Sequence, residues 1–243
     1  MSIVYLAVYL ADHAKIQTKF TSVNGQNPDD MPYDPNSSVT EQVHASIKSS
    51  LQHLRASDAP ESVNEAYIDM LILHSPLPTM SMTLEAWSTF ETYVPHRIRN
   101  LGISNCTLPL LRELSSLVKV KPAVVQNRFY GGTQFDVPLR SYCRDNDIIY
   151  QSFWTLTANP ELVQSDAIQM LASRTEISPA AALYCLVLAL GNTTLLNGTS
   201  NQGRMEADLA APEKVERFSK EHPNVWQSVL ENFQQLIGDH VTL

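Results

Sequence analysis

Two residues of this 243-residue sequence have the type and the placement to move protons. Lys19 is the penultimate residue of the run KIQTKF at 15–20, and His74 closes the run YIDMLILH at 67–74. Both runs are short and rich in branched and aromatic residues, the composition of strands. Both side chains therefore fall at predicted C-terminal strand ends. An ammonium and an imidazole held together at such strand ends would serve as general acid and base. The plainer readings are a solvated lysine on a strand rim and a histidine that only satisfies local hydrogen bonds. Ser104 and Asn105 close a third run, IRNLGIS followed by Asn, and Gln126 sits in a fourth, AVVQNRF at 123–129. Cys106, Cys143 and Cys185 are odd in number and lack metal-ligand spacing, so no metal site is expected.

The elements that must hold these residues are short strands alternating with helical patterns, the signature of repeated βα units around a parallel sheet. Six strands are predicted: 15–20, 67–74, 98–104, 123–129, 147–153 and 193–198. Between the first two, Val39, Val43, Ile47, Leu51 and Leu54 repeat at helical spacing behind a Ser38-x-x-Glu41 capping box. Leu84, Trp87 and Phe90 form a second stripe, and Leu110, Leu111, Leu114 and Leu117 a third. The segment PAAALYCLVLAL at 179–190 is apolar almost all round and predicts a helix buried on most sides. One long irregular stretch, 22–36, is rich in Pro, Asp, Asn and Gly and follows the first predicted strand. In a βα barrel the loops after strands build the active-site face, so this loop is expected to cover a pocket.

A chain of this length with 44% apolar residues is expected to form a single domain, 1–243. A net charge of −8 with scattered basic residues argues against nucleic acid or an anionic membrane as a partner. The apolar run SIVYLAVYL at 2–10 is too short to span a bilayer and has no signal-peptide flanks, so it reads as core. With the cysteine usage, this favours a cytoplasmic location. The sequons at Asn36 and Asn197 then carry little meaning.

Four segments together resemble the aldo-keto reductase family: YIDMLILHSP at 67–76, RNLGISN at 99–105, PAVVQNRFY at 122–130 and TLLNGTSNQGRMEADL at 194–209. They occur in the family's order and at barrel spacing, and T-K-F-T, L-H-S-P and Q-S-F-W-T-L-T are most similar to fungal members. The resemblance implies a (β/α)8 barrel, here an incomplete one lacking the first two strand units. It also implies NADP(H)-dependent reduction of a small carbonyl compound, in which a tyrosine, tuned by a lysine, an aspartate and a histidine, protonates the product. Lys19 matches the family lysine and His74 the histidine that orients the carbonyl. The tyrosine and aspartate belong further upstream of that lysine than the eighteen residues this sequence has before Lys19. Tyr5, Tyr9, Tyr33 and Tyr130 are candidate replacements for the acid.

By the same resemblance, Ser104, Asn105 and Gln126 hold the nicotinamide carboxamide, Ser152 belongs to the segment Gln151-Ser152-Phe153-Trp154 that matches the family's Y-S-P-L cofactor motif, and Arg204 lies at the adenosine end. Asp208 stands where the family has asparagine, and Gly198 where it has a lysine for the 2′-phosphate. Gln151 replaces the aromatic platform under the nicotinamide ring, unless Trp154 substitutes. These departures support an alternative: a redox-independent lyase, isomerase or cyclase of secondary metabolism using Lys19 and His74, or a non-catalytic pseudoenzyme. Met80, Met82, Tyr130 and Trp154 near strand ends point to an apolar or aromatic small-molecule substrate. A barrel short of two strands exposes sheet edges, so an N-terminal segment packed across the gap and a homodimer are expected.

Overall fold

The computed structural model describes residues 5–7, 15–55, 59 and 62–239. They fall into two compact units, Met1–Gln126 and Asn127–Leu243.

The first unit is built on β1 (Tyr5–Ala7), β2 (Lys15–Phe20), β3 (Ile68–Leu73), β4 (Ile98–Ser104) and the start of β5 (Val124–Arg128). Strands β2 to β5 run parallel in chain order, with Lys19 opposite Ile72 and Ser104 opposite Gln126. Parallel strands covered on both faces read as continuous apolar runs. β3 does so, burying every residue but Met70. The close approach of three strands needs Gly102, because a Cβ there would collide with Ile72 Cδ1 and meet the Val124 carbonyl oxygen at 2.8 Å. β1 pairs antiparallel with β2, Tyr5 opposite Gln17. Residues 5–7 of the apolar run 2–10 thus add an edge strand to β2, and the rest of that run lies outside the described residues.

The helix Val39–His53 begins as its capping box requires: Glu41 N–H donates to Ser38 Oγ at 3.3 Å, and Ser38 N–H donates back to Glu41 Oε2 at 3.0 Å. Its stripe of Val39, Val43, Ile47 and Leu51 is buried, with Leu54 only half-buried beyond the last turn. The helix Met80–Glu91 buries Trp87 and Phe90 completely. In Leu108–Leu117 the buried leucines are Leu111 and Leu114, whereas Leu117 lies exposed, narrowing the predicted stripe.

The second unit carries the end of β5 with β6 (Ile149–Phe153) and β7 (Thr193–Leu195), which pair in parallel with Tyr150 opposite Thr193. β7 ends three residues before the predicted strand does. The helix Pro179–Leu188 buries every residue from Ala181 to Val187, as its all-round apolar sequence requires. Two further helices, Gln202–Glu221 and Pro223–Leu236, follow β7. Arg140 is buried and paired to Asp239 at 2.7 Å, and its Nε donates to the Phe135 carbonyl, so this buried charge is compensated from two directions. Among the described residues, no helix is long and apolar enough to cross a membrane.

Candidate active site

In the first unit, the C-terminal ends of four neighbouring strands collect polar side chains. β2 delivers Lys19, the residue after β3 is His74, β4 ends in Ser104 with Asn105 next, and β5 contributes Gln126. The main chain sets this alignment: His74 N–H donates to the Phe20 carbonyl at 2.9 Å, and Asn105 N–H to the Gln126 carbonyl at 3.1 Å. Thr21, the residue after β2, places Oγ1 2.9 Å from His74 Nδ1. With the threonine hydroxyl donating, the neutral ring carries its proton on Nε2. Thr21 was not among the residues singled out for chemistry, although it closes the T-K-F-T motif, and its position just past the strand end is the signal that marks it.

Asn105 adopts φ 54°, in the left-handed region, and so turns its amide back across the rim. Its Nδ2 donates to the His74 carbonyl at 2.9 Å and reaches Ser75 Oγ and Ser104 Oγ at 3.3 Å. The amide therefore ties the ends of β3 and β4 together. Ser104 and Gln126 are completely buried.

Burial lowers the Lys19 ammonium from 10.5 to about 8. Burial, and secondarily the Lys19 charge, lowers the His74 imidazole below its ordinary value, which keeps the ring neutral at pH 7. The pairing of β2 with β3 sets Lys19 and His74 at adjacent strand ends. Burial thus brings the Lys19 ammonium towards neutrality and disfavours the charged form of His74.

Of the candidate replacement acids, Tyr33 is nearly buried and donates its hydroxyl to the Thr21 carbonyl at 2.5 Å. Burial raises its pKa. Its proton is held by the main chain, so it serves the site by fastening the loop after β2 to the strand end. Tyr130 lies in the second unit, while Tyr9 and the side chain of Tyr5 fall outside the described residues.

The second unit holds the other resemblance-derived positions. Ser152 is buried, with Oγ 2.8 Å from Thr155 Oγ1. Arg204 lies exposed in the first turn of the helix Gln202–Glu221, and its backbone N–H is capped by Asn201 Oδ1 at 2.9 Å. Asp208, one turn on, accepts from Asn197 Nδ2 at 2.6 Å. A Cβ at Gly198 would meet nothing within 4 Å, so packing does not demand glycine there. Gln151 is buried, and Trp154 is 56% exposed with one ring face against Arg128. Among the described residues, no group of three or more potential ligands is arranged to hold a metal ion.

The aldo/keto reductase family model matches residues 9–231, and the chain belongs to that family. An NAD/NADP-dependent indole-3-acetaldehyde reductase of Schizosaccharomyces pombe is 28% identical over 123 residues, covering 46% of this chain and 43% of that protein. The chain thus spans about half or less of the length of the curated relatives it matches first. An aldose reductase from Giardia lamblia superposes with a TM-score of 0.59 at 18% identity, over 82% of this chain and 67% of that one. A variant of Gox0644 solved with NADPH superposes at 0.60 and 17% identity, over 87% and 69%. These likenesses show the fold: an α/β chain carrying an incomplete (β/α)8 barrel of the aldo-keto reductase type.

Proposed function

We propose that this chain is an NADP(H)-dependent oxidoreductase of small carbonyl compounds in which Lys19 is the proton donor and His74 orients the carbonyl oxygen. The observation that carries this reading is the alignment of Lys19, His74 and Ser104 at the C-terminal ends of three adjacent parallel strands of one unit, with Gln126 opposite Ser104 on the next, the face on which such barrels place their chemistry. The donor set fits a carboxamide. Ser104 and Gln126 are buried hydroxyl and amide groups, and Asn105 commits its Nδ2 to neighbours while its Oδ1 has no partner among the described residues. Arg204 would meet the adenosine end by a charge-assisted contact. When bound, the nicotinamide supplies the hydride.

The protein's own part is electrostatic. The Nε2–H of neutral His74 donates to the substrate oxygen, with Thr21 fixing the ring. Lys19 Nζ, poised near 8, stabilises the developing alkoxide and gives it a proton. A lysine at its ordinary value would hold its proton too firmly; the depressed one is matched to neutral pH. A second reading rests on the same two groups. Lys19 and neutral His74 already form an acid and base pair, which would serve a cofactor-free elimination or isomerisation.

Calorimetric titration with NADPH and NADH, followed by assays of aldehydes and ketones, separates the two readings. Micromolar binding and carbonyl-dependent oxidation of NADPH are expected. Absence of binding at millimolar cofactor, in a chain whose Lys19 and His74 variants still lose a cofactor-free activity, would sink the oxidoreductase reading.

A further inference from the structure

Arg128 is the last residue of β5 and Trp154 follows β6 directly, both within the second unit. The Arg128 guanidinium carbon lies 4.1 Å from the centroid of the Trp154 ring and 5.1 Å from that of Tyr130. Trp154 is unusual twice over. Its φ of 55° puts a bulky residue in the left-handed region, and its side chain is 56% exposed, whereas Trp87 is completely buried.

The surroundings hold this geometry. Phe153 meets the indole edge-on at 6.4 Å between centroids. Ala158 N–H donates to the Trp154 carbonyl at 2.9 Å. Asn159 Nδ2 binds the Phe129 carbonyl at 2.6 Å and the Thr155 carbonyl at 3.0 Å, joining the turn to the end of β5. Opposite, Gly132 leaves room for the Tyr130 ring, since a Cβ there would stand 2.9 Å from its Cζ.

Stacking on rings engages the π face of a guanidinium and leaves its N–H edges for a planar oxyanion. No carboxylate of the described residues takes those edges: the ion pairs of the second unit lie elsewhere, and Asp136 accepts from Asn127 Nδ2 and the Tyr150 hydroxyl. A cation without a counter-ion among the described residues, beside an indole held out in solvent, matches a ligand with a carboxylate at one end and an aromatic ring at the other.

We propose that Arg128, Trp154 and Tyr130 form a binding site for a small aromatic carboxylate, its carboxylate paired to the Arg128 edge and its ring laid on the exposed indole. The site lies at the ends of β5 and β6, and its test needs no cofactor.

Titration calorimetry on the 243-residue chain tests it with phenylacetate, its neutral isostere phenylacetamide, and inorganic phosphate. Phenylacetate is expected to saturate, to weaken by about tenfold or more in Arg128→Gln, and to weaken in Trp154→Ala, while Arg128→Lys falls between because it keeps the charge and loses the fork. Phenylacetamide and phosphate should not compete. The proposal is overturned by phenylacetate binding that survives Arg128→Gln, by the absence of saturable binding, or by phosphate binding that depends on Arg128 while phenylacetate does not bind. Should Arg128→Gln fail to fold, loss of binding in Trp154→Ala and reduction in Arg128→Lys decide the matter in the same sense.

Discussion

The strand-end cluster of the first unit and the helix-start cluster of the second differ in how completely their polar groups are organised. In the first, Thr21, His74, Ser75, Ser104 and Asn105 form one hydrogen-bonded rim, and burial brings Lys19 to about 8. In the second, Arg204 is exposed, Asp208 is engaged by Asn197, and Gly198 faces open space. Ser104 is buried within that rim, where a polar group costs stability unless it is hydrogen-bonded, while Asn105 is exposed. The second cluster has no such rim, and on the proposed function it would bind a phosphate weakly. On the proposed function, the comparison teaches that the groups for proton chemistry are the better organised, and those for the 2′-phosphate the less.

The largest effect that can break this contrast comes from Lys19→Met. Turnover is expected to fall by ~10²–10⁴-fold, the range for loss of a positioned proton donor. In the parent, the rate of carbonyl reduction should decline as pH rises through about 8, because the reaction consumes the protonated lysine, and Lys19→Met should abolish that limb. Stability should move the other way. The folded state holds Lys19 below its ordinary value, so the unfolded chain binds more protons between about 8 and 10.5, and stability rises with pH across that window. The burial penalty is therefore fully present below 8. Lys19→Met should be more stable at pH 7 by up to about 3 kcal/mol, and equal to the parent above the ordinary lysine value. A variant that loses activity and stability together at pH 7 would make Lys19 a structural residue.

Much of the first unit was legible in its residues. The runs 15–20 and 98–104 are strands to the residue, although polar residues interrupt both, because each is a short segment set off by neighbouring turn and helix signals. The capping box fixed the start of the helix at Val39, and Lys19 and His74 were visible as titratable residues at strand ends. The loss of pKa at Lys19 was not legible, because it depends on how deeply neighbouring strands bury the side chain. Nor was the role of Asn105, which rests on a left-handed backbone that any Ser-Asn dipeptide conceals. In the second unit, Arg128 and Tyr130 were read as part of a strand motif, and only the folded turn after β6 brings the indole of Trp154 onto Arg128. The helices Gln202–Glu221 and Pro223–Leu236 escaped notice, since the first carries Pro212 in its interior and has a weakly segregated apolar face.

Gly198→Lys sharpens the contrast at the weak end. Nothing lies within 4 Å of an added Cβ and the backbone is not in the left-handed region, so the substitution should fold without strain. A lysine there supplies a point charge for the 2′-phosphate. NADPH affinity should rise by about tenfold, ~1.4 kcal/mol, with NADH affinity unchanged. Equal gains for both cofactors would show that the new charge acts on a group they share, and the contrast in 2′-phosphate selectivity would fail.

The smallest effect, Asp208→Asn, tests whether the acidic residue itself weakens that end. The substitution preserves shape, and the new Oδ1 can still accept from Asn197 Nδ2. What changes is one negative charge, already felt in the fold: after burial, Asp208 is the next cause that raises Tyr184 and Cys185 to about 12. A partly exposed charge acting on a phosphate across water is worth under ~1 kcal/mol, so NADPH should bind about two- to fivefold more tightly, with less change for NADH and a gain that shrinks as salt is added. A salt-independent gain would mean that the substitution had reshaped the helix start rather than removed a repulsion. No gain, alongside a clear gain in Gly198→Lys, would mean that Asn197 already neutralises Asp208, leaving the missing cation alone responsible for weak selectivity.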